Sequence, residues 1–94
     1  LRLEERVARV RQERGRLGAA LRALPIVKRV DDSEGNFLLV ELADREALLA
    51  AARARGIILR DRHQEPGLAD CVRITVGAPG ENDELITLLE SVRP

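Results

Sequence analysis

Two arginines on short apolar segments are the residues of this sequence best suited to molecular recognition. Arg60 follows the apolar residues 57–59, and Arg73 lies within the apolar segment 72–76. An arginine stays charged in such a segment, and its planar guanidinium group can donate two parallel hydrogen bonds to a carboxylate or a phosphate. The two segments therefore predict an anion-binding edge on neighbouring strands. Neither segment supplies a group that could perform chemistry on the bound anion.

A structural role is the alternative for both arginines. Each could form an ion pair with a local acid such as Asp61 or Asp70. An arginine whose charge is compensated in this way would stabilise the sheet and would bind no ligand. The spacing of the residues leaves both interpretations open.

The other reactive side chains are few. Lys28 is the only lysine, and we expect it to be a solvated charge on an edge strand. Cys71 is the only cysteine and His63 the only histidine, so the chain can form neither an intrachain disulfide nor a His/Cys metal cluster. We expect Cys71 to pack as a small hydrophobe. Arg62 and His63 fall in a polar loop, where we expect solvated side chains.

Composition limits the classes of function. The chain has 94 residues, with 16 basic and 16 acidic side chains. This length forms one domain with a modest core, too small to enclose a large active-site cleft. Balanced charge argues against nucleic acid and anionic membrane as partners, because both require a basic surface. Phe37 is the only aromatic residue, so we expect a core of aliphatic side chains.

The ends and the hydropathy of the chain bear on its location. No segment has the length of an apolar membrane span, and no secretory signal pattern opens the chain. Together with the single cysteine, these observations predict a cytoplasmic protein. The first residue is Leu1 and not methionine. We therefore expect either missing residues in front of it or a longer parent protein.

Periodicity and turn residues predict the elements that position the two arginines. Apolar residues at helical spacing precede Pro25, Asp44 is a good N-cap, and Gly56 can end a helix in the left-handed conformation. Pro79 suits the first turn of a final helix. The predicted order is a helix over 3–24, strands over 26–30 and 37–42, a helix over 44–55, strands over 57–60 and 72–76, and a helix from 79.

This order predicts the fold class. It indicates an α+β domain in which helices pack on a small, mainly antiparallel sheet of about four short strands. The nearly continuous apolar run over 37–42 is typical of a central strand. We find no internal repeat and no low-complexity segment.

The chain also resembles a known family. The segments that carry the resemblance are NFLLV (36–40), GIILRD (56–61), PGL (66–68), CVRITVG (71–77) and EN (81–82). In order and spacing they are similar to the carboxy-terminal small domain of the histidinol-phosphate aminotransferases, pyridoxal-phosphate enzymes of fold type I. The first helix resembles the connecting helix of the family only in type. Ala78 departs from the threonine that usually precedes the proline of the last helix.

The resemblance implies a reaction in histidine biosynthesis. Amino groups would be transferred between histidinol phosphate with 2-oxoglutarate and imidazole acetol phosphate with glutamate. By this likeness Arg73 binds the anionic end of the substrate, a phosphate in one half-reaction and a carboxylate in the other. Arg60 would be a second anion contact or a group that orients the first. Asn36 matches a position that we interpret as structural or as supporting a residue that contacts the substrate.

The resemblance also implies what this chain lacks. The lysine and the aspartate that bind pyridoxal 5'-phosphate belong to the large domain of the family, and their motifs do not occur here. We therefore expect 1–24 to be the connecting helix and 25–94 the small domain. The implied partners are the large domain of the same protein and a second copy in a homodimer. The isolated chain should be catalytically inactive.

Two other classes of function remain open. The chain could be a stand-alone α+β module that binds a small molecule, or an interaction domain that oligomerises through its first helix. Apolar surface on the first helix and at the sheet edge also predicts that the isolated chain self-associates. The two arginine-bearing strands separated by Pro66-Gly67 favour the aminotransferase interpretation.

Overall fold

Three helices and four strands alternate along residues 2–32 and 35–92, which are the residues described by the computed structural model. The elements are α1 (Leu3–Arg22), β1 (Val27–Asp32), β2 (Phe37–Leu42), α2 (Arg45–Ala54), β3 (Arg60–Asp61), β4 (Cys71–Thr75) and α3 (Pro79–Ser91). Their order confirms the predicted sequence of helix, two strands, helix, two strands and helix. Within the described residues, no helix combines the length and apolar character that crossing a bilayer requires.

The four strands form one antiparallel sheet in the order β1-β2-β4-β3. This arrangement confirms the predicted α+β fold and the central position of β2. The edges of the sheet are both irregular. The register of β1 shifts between Val27 and Arg29, and β3 at the other edge has only two residues.

Alternation along the strands gives the sheet two unlike faces. Side chains of β2 alternate between half-buried and buried, as expected for a strand with helices on one side only. Buried strand residues share a single core with leucines of all three helices, so the helices cover one face. We call the other face the open face. It carries Arg29, Asp31, Phe37, Leu39, Glu41, Arg60, Cys71, Arg73 and Thr75.

The core is built from aliphatic side chains, as composition predicted. Leu17 and Leu21 of α1 are fully buried against the sheet, together with Leu48 of α2 and Leu88 of α3. The C-terminal half of α1 is therefore part of the same core as the strands. At its other end, Leu3 is 75% exposed and Val7 43% exposed. Closely packed leucine, isoleucine and valine side chains fill this core, so it needs no aromatic ring.

The third strand is shorter than predicted and begins later. Residues 57–59 have no regular secondary structure, and Ile58 is 86% exposed. The reason is the end of α2. Gly56 adopts φ +71°, its N–H bonds the Arg53 carbonyl, and the N–H of Ile57 bonds the Ala52 carbonyl at 2.9 Å. This Schellman arrangement holds the chain against the helix, so pairing with β4 starts only at Arg60.

Other boundaries differ from the predictions by one or two residues. Helix α1 ends at Arg22, β1 covers Val27–Asp32, and β4 begins one residue earlier than predicted. Asp44 caps α2 as predicted, because its carboxylate accepts a hydrogen bond from the N–H of Ala47 at 3.1 Å. Ala78 has no capping oxygen, but its N–H donates to the Glu81 carboxylate at 2.9 Å. This bond replaces part of the missing cap.

Candidate anion-binding site

Arg60 and Arg73 lie directly opposite each other on adjacent strands. The pairing of β3 with β4 places them in register, so both belong to the open face. Their position on neighbouring strands is confirmed. Two like charges directly opposite in a sheet repel each other and destabilise the pairing. An anion bound between the two guanidinium groups would remove this repulsion.

The surroundings of Arg73 are mostly apolar. Leu39 of β2 lies opposite it on the side away from β3. The guanidinium carbon of Arg73 lies 4.3 Å from the centroid of the Phe37 ring. Its Nε atom is buried and has no hydrogen-bond partner in the described part of the chain. A buried donor without a partner is costly, so Arg73 is placed to gain from an added acceptor.

Neither of the acids proposed as local partners of these arginines pairs with Arg60 or Arg73. A carboxylate oxygen of Asp61 lies 2.6 Å from Nη1 of Arg45, and the other accepts a hydrogen bond from the N–H of His63 at 3.0 Å. The carboxylate of Asp70 lies 3.8 Å from Nδ1 of His63. Over residues 2–32 and 35–92, no acid forms an ion pair with Arg60 or Arg73.

Arg45 ties the short strand β3 to helix α2. Its side chain is only 12% exposed, and its ion pair with Asp61 is the close contact between the start of α2 and the end of β3. Asp61 lies opposite Val72, so its side chain belongs to the face that the helices cover. Arg60, the preceding residue, therefore belongs to the open face. The ion pair adds to the two residues of strand pairing and to the hydrogen bond from the N–H of Arg62 to the Cys71 carbonyl at 3.0 Å.

The loop between β3 and β4 is ordered by its own hydrogen bonds. Nδ1 of His63 accepts the N–H of Asp70 at 2.9 Å, and Arg62 pairs with Glu65 at 2.7 Å. Asp70 adopts φ +61°, which is uncommon for a residue with a side chain. The side chains of Arg62 and His63 are 33% and 36% exposed, so the prediction of solvated side chains holds in part, and both also bond within the loop.

The other end of the open face has compensated charges. Arg29 lies 3.4 Å from the Asp31 carboxylate and 3.6 Å from that of Glu41. Cys71, opposite Glu41, is 1% exposed. Burial, and then the nearby Glu41 charge, raise the pKa of the Cys71 thiol above its usual range. Such a thiol stays protonated, in agreement with its prediction as a packing residue.

A buried polar network lies at the junction of α1 and α3, and sequence reasoning missed it. The Glu13 carboxylate accepts hydrogen bonds from Arg16 at 2.7 and 2.9 Å and from the Asn82 amide at 3.1 Å. These bonds, that of Arg16 first, lower the pKa of Glu13 to about 2. Asn82 also bonds both the N–H and the carbonyl of Gly77, at 2.8 and 2.9 Å. Nη1 of Arg16 bonds Asp83 at 2.8 Å.

This network holds the end of β4 in place. Gly77 follows the strand that carries Arg73, and Asn82 belongs to the first turns of α3. A Cβ at position 77 would lie 2.7 Å from the Glu81 carboxylate, so a side chain there would displace Glu81 and disturb its hydrogen bond with the N–H of Ala78. One signal could have revealed Glu13. It precedes Leu17 and Leu21 at intervals of four residues, so it belongs to the apolar stripe of α1.

The contact between Phe37 and Arg73 was also missed by sequence reasoning. The sequence predicts Phe37 as a strand residue and as the single aromatic residue of the chain, and the structure places it half-buried on the open face against Arg73. Its position as the first residue of β2, after a turn, gave no indication of this contact. Lys28 lies exposed on the edge strand β1, as predicted.

Comparisons with known proteins agree with the fold and with the predicted resemblance. The family model "Aminotransferase class I and II" matches residues 1–92. The histidinol-phosphate aminotransferase of Xylella fastidiosa is 48% identical over 89 residues, which cover 95% of this chain and 24% of that protein. The enzyme of the same name from Stenotrophomonas maltophilia is 47% identical over 92 residues, which cover 98% of this chain and 25% of that protein.

Solved structures show the same relationship. The histidinol-phosphate aminotransferase from Clostridium acetobutylicum superimposes with a TM-score of 0.84 at 27% identity, over 93% of this chain and 27% of that chain. A putative aminotransferase from Burkholderia pseudomallei gives a TM-score of 0.81 at 40% identity, over 93% of this chain and 26% of that one. This chain thus spans about a quarter of the length of the relatives that it matches. It belongs to the class I and II aminotransferase family.

Proposed function

We propose that this chain binds the anionic end of the substrate in a histidinol-phosphate aminotransferase. Arg73 is the principal contact, and Arg60 is a second contact or orients the first. The observation that carries the proposal is the pair of arginines in register on the open face, with no acid among residues 2–32 and 35–92 to neutralise either one. The relatives named above supply the reaction class.

The chemistry of the guanidinium group suits both substrates of this reaction. Histidinol phosphate presents a phosphate, and glutamate presents a carboxylate, so one site must accept each anion in turn. A planar fork of N–H donors can bond two oxygens of either group, whereas a neutral donor would leave their charge uncompensated. Burial of Nε and the adjacent apolar residue Leu39 lower the local dielectric, which strengthens such charged hydrogen bonds.

Pyridoxal phosphate supplies the electron sink for amino transfer when it is bound. The described residues of this chain do not fit it. The only lysine, Lys28, is exposed on an edge strand, two strands away from Arg73. We therefore propose that the cofactor is bound by the part of the protein beyond these 94 residues. The role of this chain is to bind and orient the anion.

The organisation of the whole protein belongs to the same proposal. Residues 1–24 would connect this domain to a large domain, and 25–94 would form the small domain. A homodimer in the cytoplasm is the proposed state of the parent enzyme. The relatives support a larger protein, because this chain accounts for about a quarter of their length.

A phosphate requirement tests the proposal in the full-length protein. Purified protein supplied with pyridoxal phosphate and 2-oxoglutarate should form glutamate from histidinol phosphate. Histidinol, which is the same amine without the phosphate, should react with a kcat/KM lower by about 100-fold or more, because it lacks the anion that the arginines bind. Equal kcat/KM for the two amines would contradict anion recognition. No glutamate from either amine would favour a stand-alone binding or oligomerisation module.

A further inference from the structure

The only aromatic residue of this chain contacts its candidate substrate anchor. Phe37 lies opposite Thr75 in the pairing of β2 with β4, so it is diagonal to Arg73 on the open face. The Arg73 guanidinium carbon is 4.3 Å from the ring centroid, which is within the range of a cation–π interaction. The ring is half-buried on this face and takes no part in the aliphatic core.

The chemistry of this contact differs from that of an ion pair. A carboxylate binds a guanidinium group through the N–H donors at its edge, and those donors are then unavailable to a ligand. An aromatic ring attracts the cation through its π electrons and contacts the face of the guanidinium plane. The edge donors therefore stay available for an anion. Phe37 can hold Arg73 without competing for the hydrogen bonds that the substrate needs.

Some other arginines of the domain, unlike Arg73, are paired with carboxylates. Arg16 directs its donors to two carboxylates, and Arg29 lies within 3.6 Å of two. No carboxylate in the described part of the chain pairs with Arg73. The Phe37 ring and the opposite residue Leu39 thus remain as the groups that restrict the guanidinium group on the side of β2.

We propose that Phe37 is a positioning residue for Arg73. Its ring holds the guanidinium plane and leaves the edge donors to the phosphate or carboxylate of the substrate. This inference rests on the proposed function, because it assigns Phe37 a role only through Arg73. Its effect should therefore appear in substrate affinity, for both anions, and should disappear when Arg73 is absent.

The test uses the full-length enzyme in two backgrounds. Phe37→Leu should raise KM for histidinol phosphate and for glutamate by about five-fold with little change in kcat, because ordering of the anion-binding group is lost. Phe37→Tyr keeps the π face of the ring and should leave KM at the wild-type value. In the Arg73→Ala background, Phe37→Leu should cause no further change. The matched control is Ile86→Ala, which removes a half-buried apolar side chain of α3 and should lower stability without changing KM.

The possible outcomes separate this inference from the proposed function. If Arg73→Ala leaves KM unchanged, the proposed function fails. If Arg73→Ala raises KM but Phe37→Leu does not, or if Phe37→Leu has an equal effect in both backgrounds, the positioning role is overturned. Pentafluorophenylalanine at position 37 retains the shape of the ring and removes its attraction for cations. It should raise KM as Phe37→Leu does, and an unchanged KM would overturn the inference even if the leucine variant does not fold.

Discussion

Arg16 and Arg73 show two uses of the same side chain within one small domain. Arg16 bonds Glu13 at 2.7 Å and Asp83 at 2.8 Å, and its donors are directed at groups of the protein itself. Arg73 lies against an aromatic ring, and no carboxylate of the described chain pairs with it. The first arrangement joins α1 to α3 and leaves little capacity for a ligand. The second leaves a charge whose compensation must come from outside these residues.

The open face repeats this contrast over a short distance. Arg29 at one end is compensated by Asp31 and Glu41, whereas Arg60 and Arg73 at the other end are not compensated by acids of the described chain. The net charge of the chain is zero and conceals this local excess. Two arginines in the same sheet can therefore have different roles, and only the positions of the acids distinguish them.

Removal of the Arg73 guanidinium group should have the largest effect on kcat/KM, and removal of that of Arg29 should have none. In the full-length enzyme we expect Arg73→Ala to lower kcat/KM for both histidinol phosphate and glutamate by about 10²–10³-fold, because a charged, bidentate contact is lost. Arg29→Ala, on the same face, should leave kcat/KM unchanged and is the matched control. Steady-state kinetics with both donors provides the measurement. Equal losses in the two variants would show that the contrast between the ends of the face has no functional meaning.

Disruption of the Glu13–Arg16–Asn82 network should lower the stability of the domain and leave substrate binding unchanged. Asn82 is 1% exposed and makes three hydrogen bonds, so Asn82→Ala should reduce the free energy of unfolding by about 2–3 kcal/mol. KM should stay the same in protein that remains folded. Urea unfolding gives the stability, and amide hydrogen exchange over residues 77–82 locates the change. Thr87→Ala, at an exposed position of the same helix, serves as the control. A normal urea midpoint for Asn82→Ala would contradict the structural role of the network.

A carboxylate opposite Arg73 should convert the uncompensated end into a compensated one. Leu39 is the β2 residue paired with Arg73, so Leu39→Glu places an acid beside the guanidinium group. The new ion pair competes with the substrate, and we expect KM for both donors to rise about ten-fold. Leu39→Gln has the same size without the charge and should raise KM less. If the two variants behave alike, the effect comes from lost packing and not from competition for Arg73.

The smallest expected effect is a pH dependence of stability. The pKa of Glu13 is lowered to about 2 in the folded state from an ordinary value of 4.5, with Arg16 as the main cause. The carboxylate therefore stabilises the fold at pH values above 4.5, and this contribution is lost as the pH falls from 4.5 towards 2. The difference in urea midpoint between the wild type and Glu13→Gln should shrink over this interval. A constant difference would mean that the Glu13 charge is not responsible.

Local signals in the sequence predicted most of the fold. Asp44 and Gly56 mark the two ends of α2 through side-chain and backbone chemistry confined to a few residues, and both predictions are confirmed. The apolar run 37–42 was correctly predicted as a central strand. Its alternate residues 38, 40 and 42 enter the core, whereas Phe37 and Leu39 are the apolar residues that it adds to the open face. Residues 57–59 were misassigned because their apolar character suits a strand equally well, while the helix end holds them away from β4.

The site depends on contacts between distant residues, and these were only partly predictable. The two arginine-bearing segments were expected to be neighbours, but the register that sets Arg60 opposite Arg73 follows from the fold. The Phe37 contact depends on the pairing of β2 with β4, and the Glu13–Asn82 bond joins residues 69 positions apart. Residue types indicated anion binding. The absence of competing acids required the three-dimensional arrangement.

The irregular edges of the sheet also affect how this domain meets other chains. An added strand would have only two paired residues to extend at β3, and at β1 it would meet Lys28 and a shifted register. Short edges, edge lysines and bulges are features that prevent sheets from aggregating by backbone pairing. Association of the isolated domain should therefore use exposed apolar side chains, which are Leu3 and Val7 at the start of α1 and Ile58 before β3, and should produce discrete, reversible oligomers in sedimentation and no fibrils.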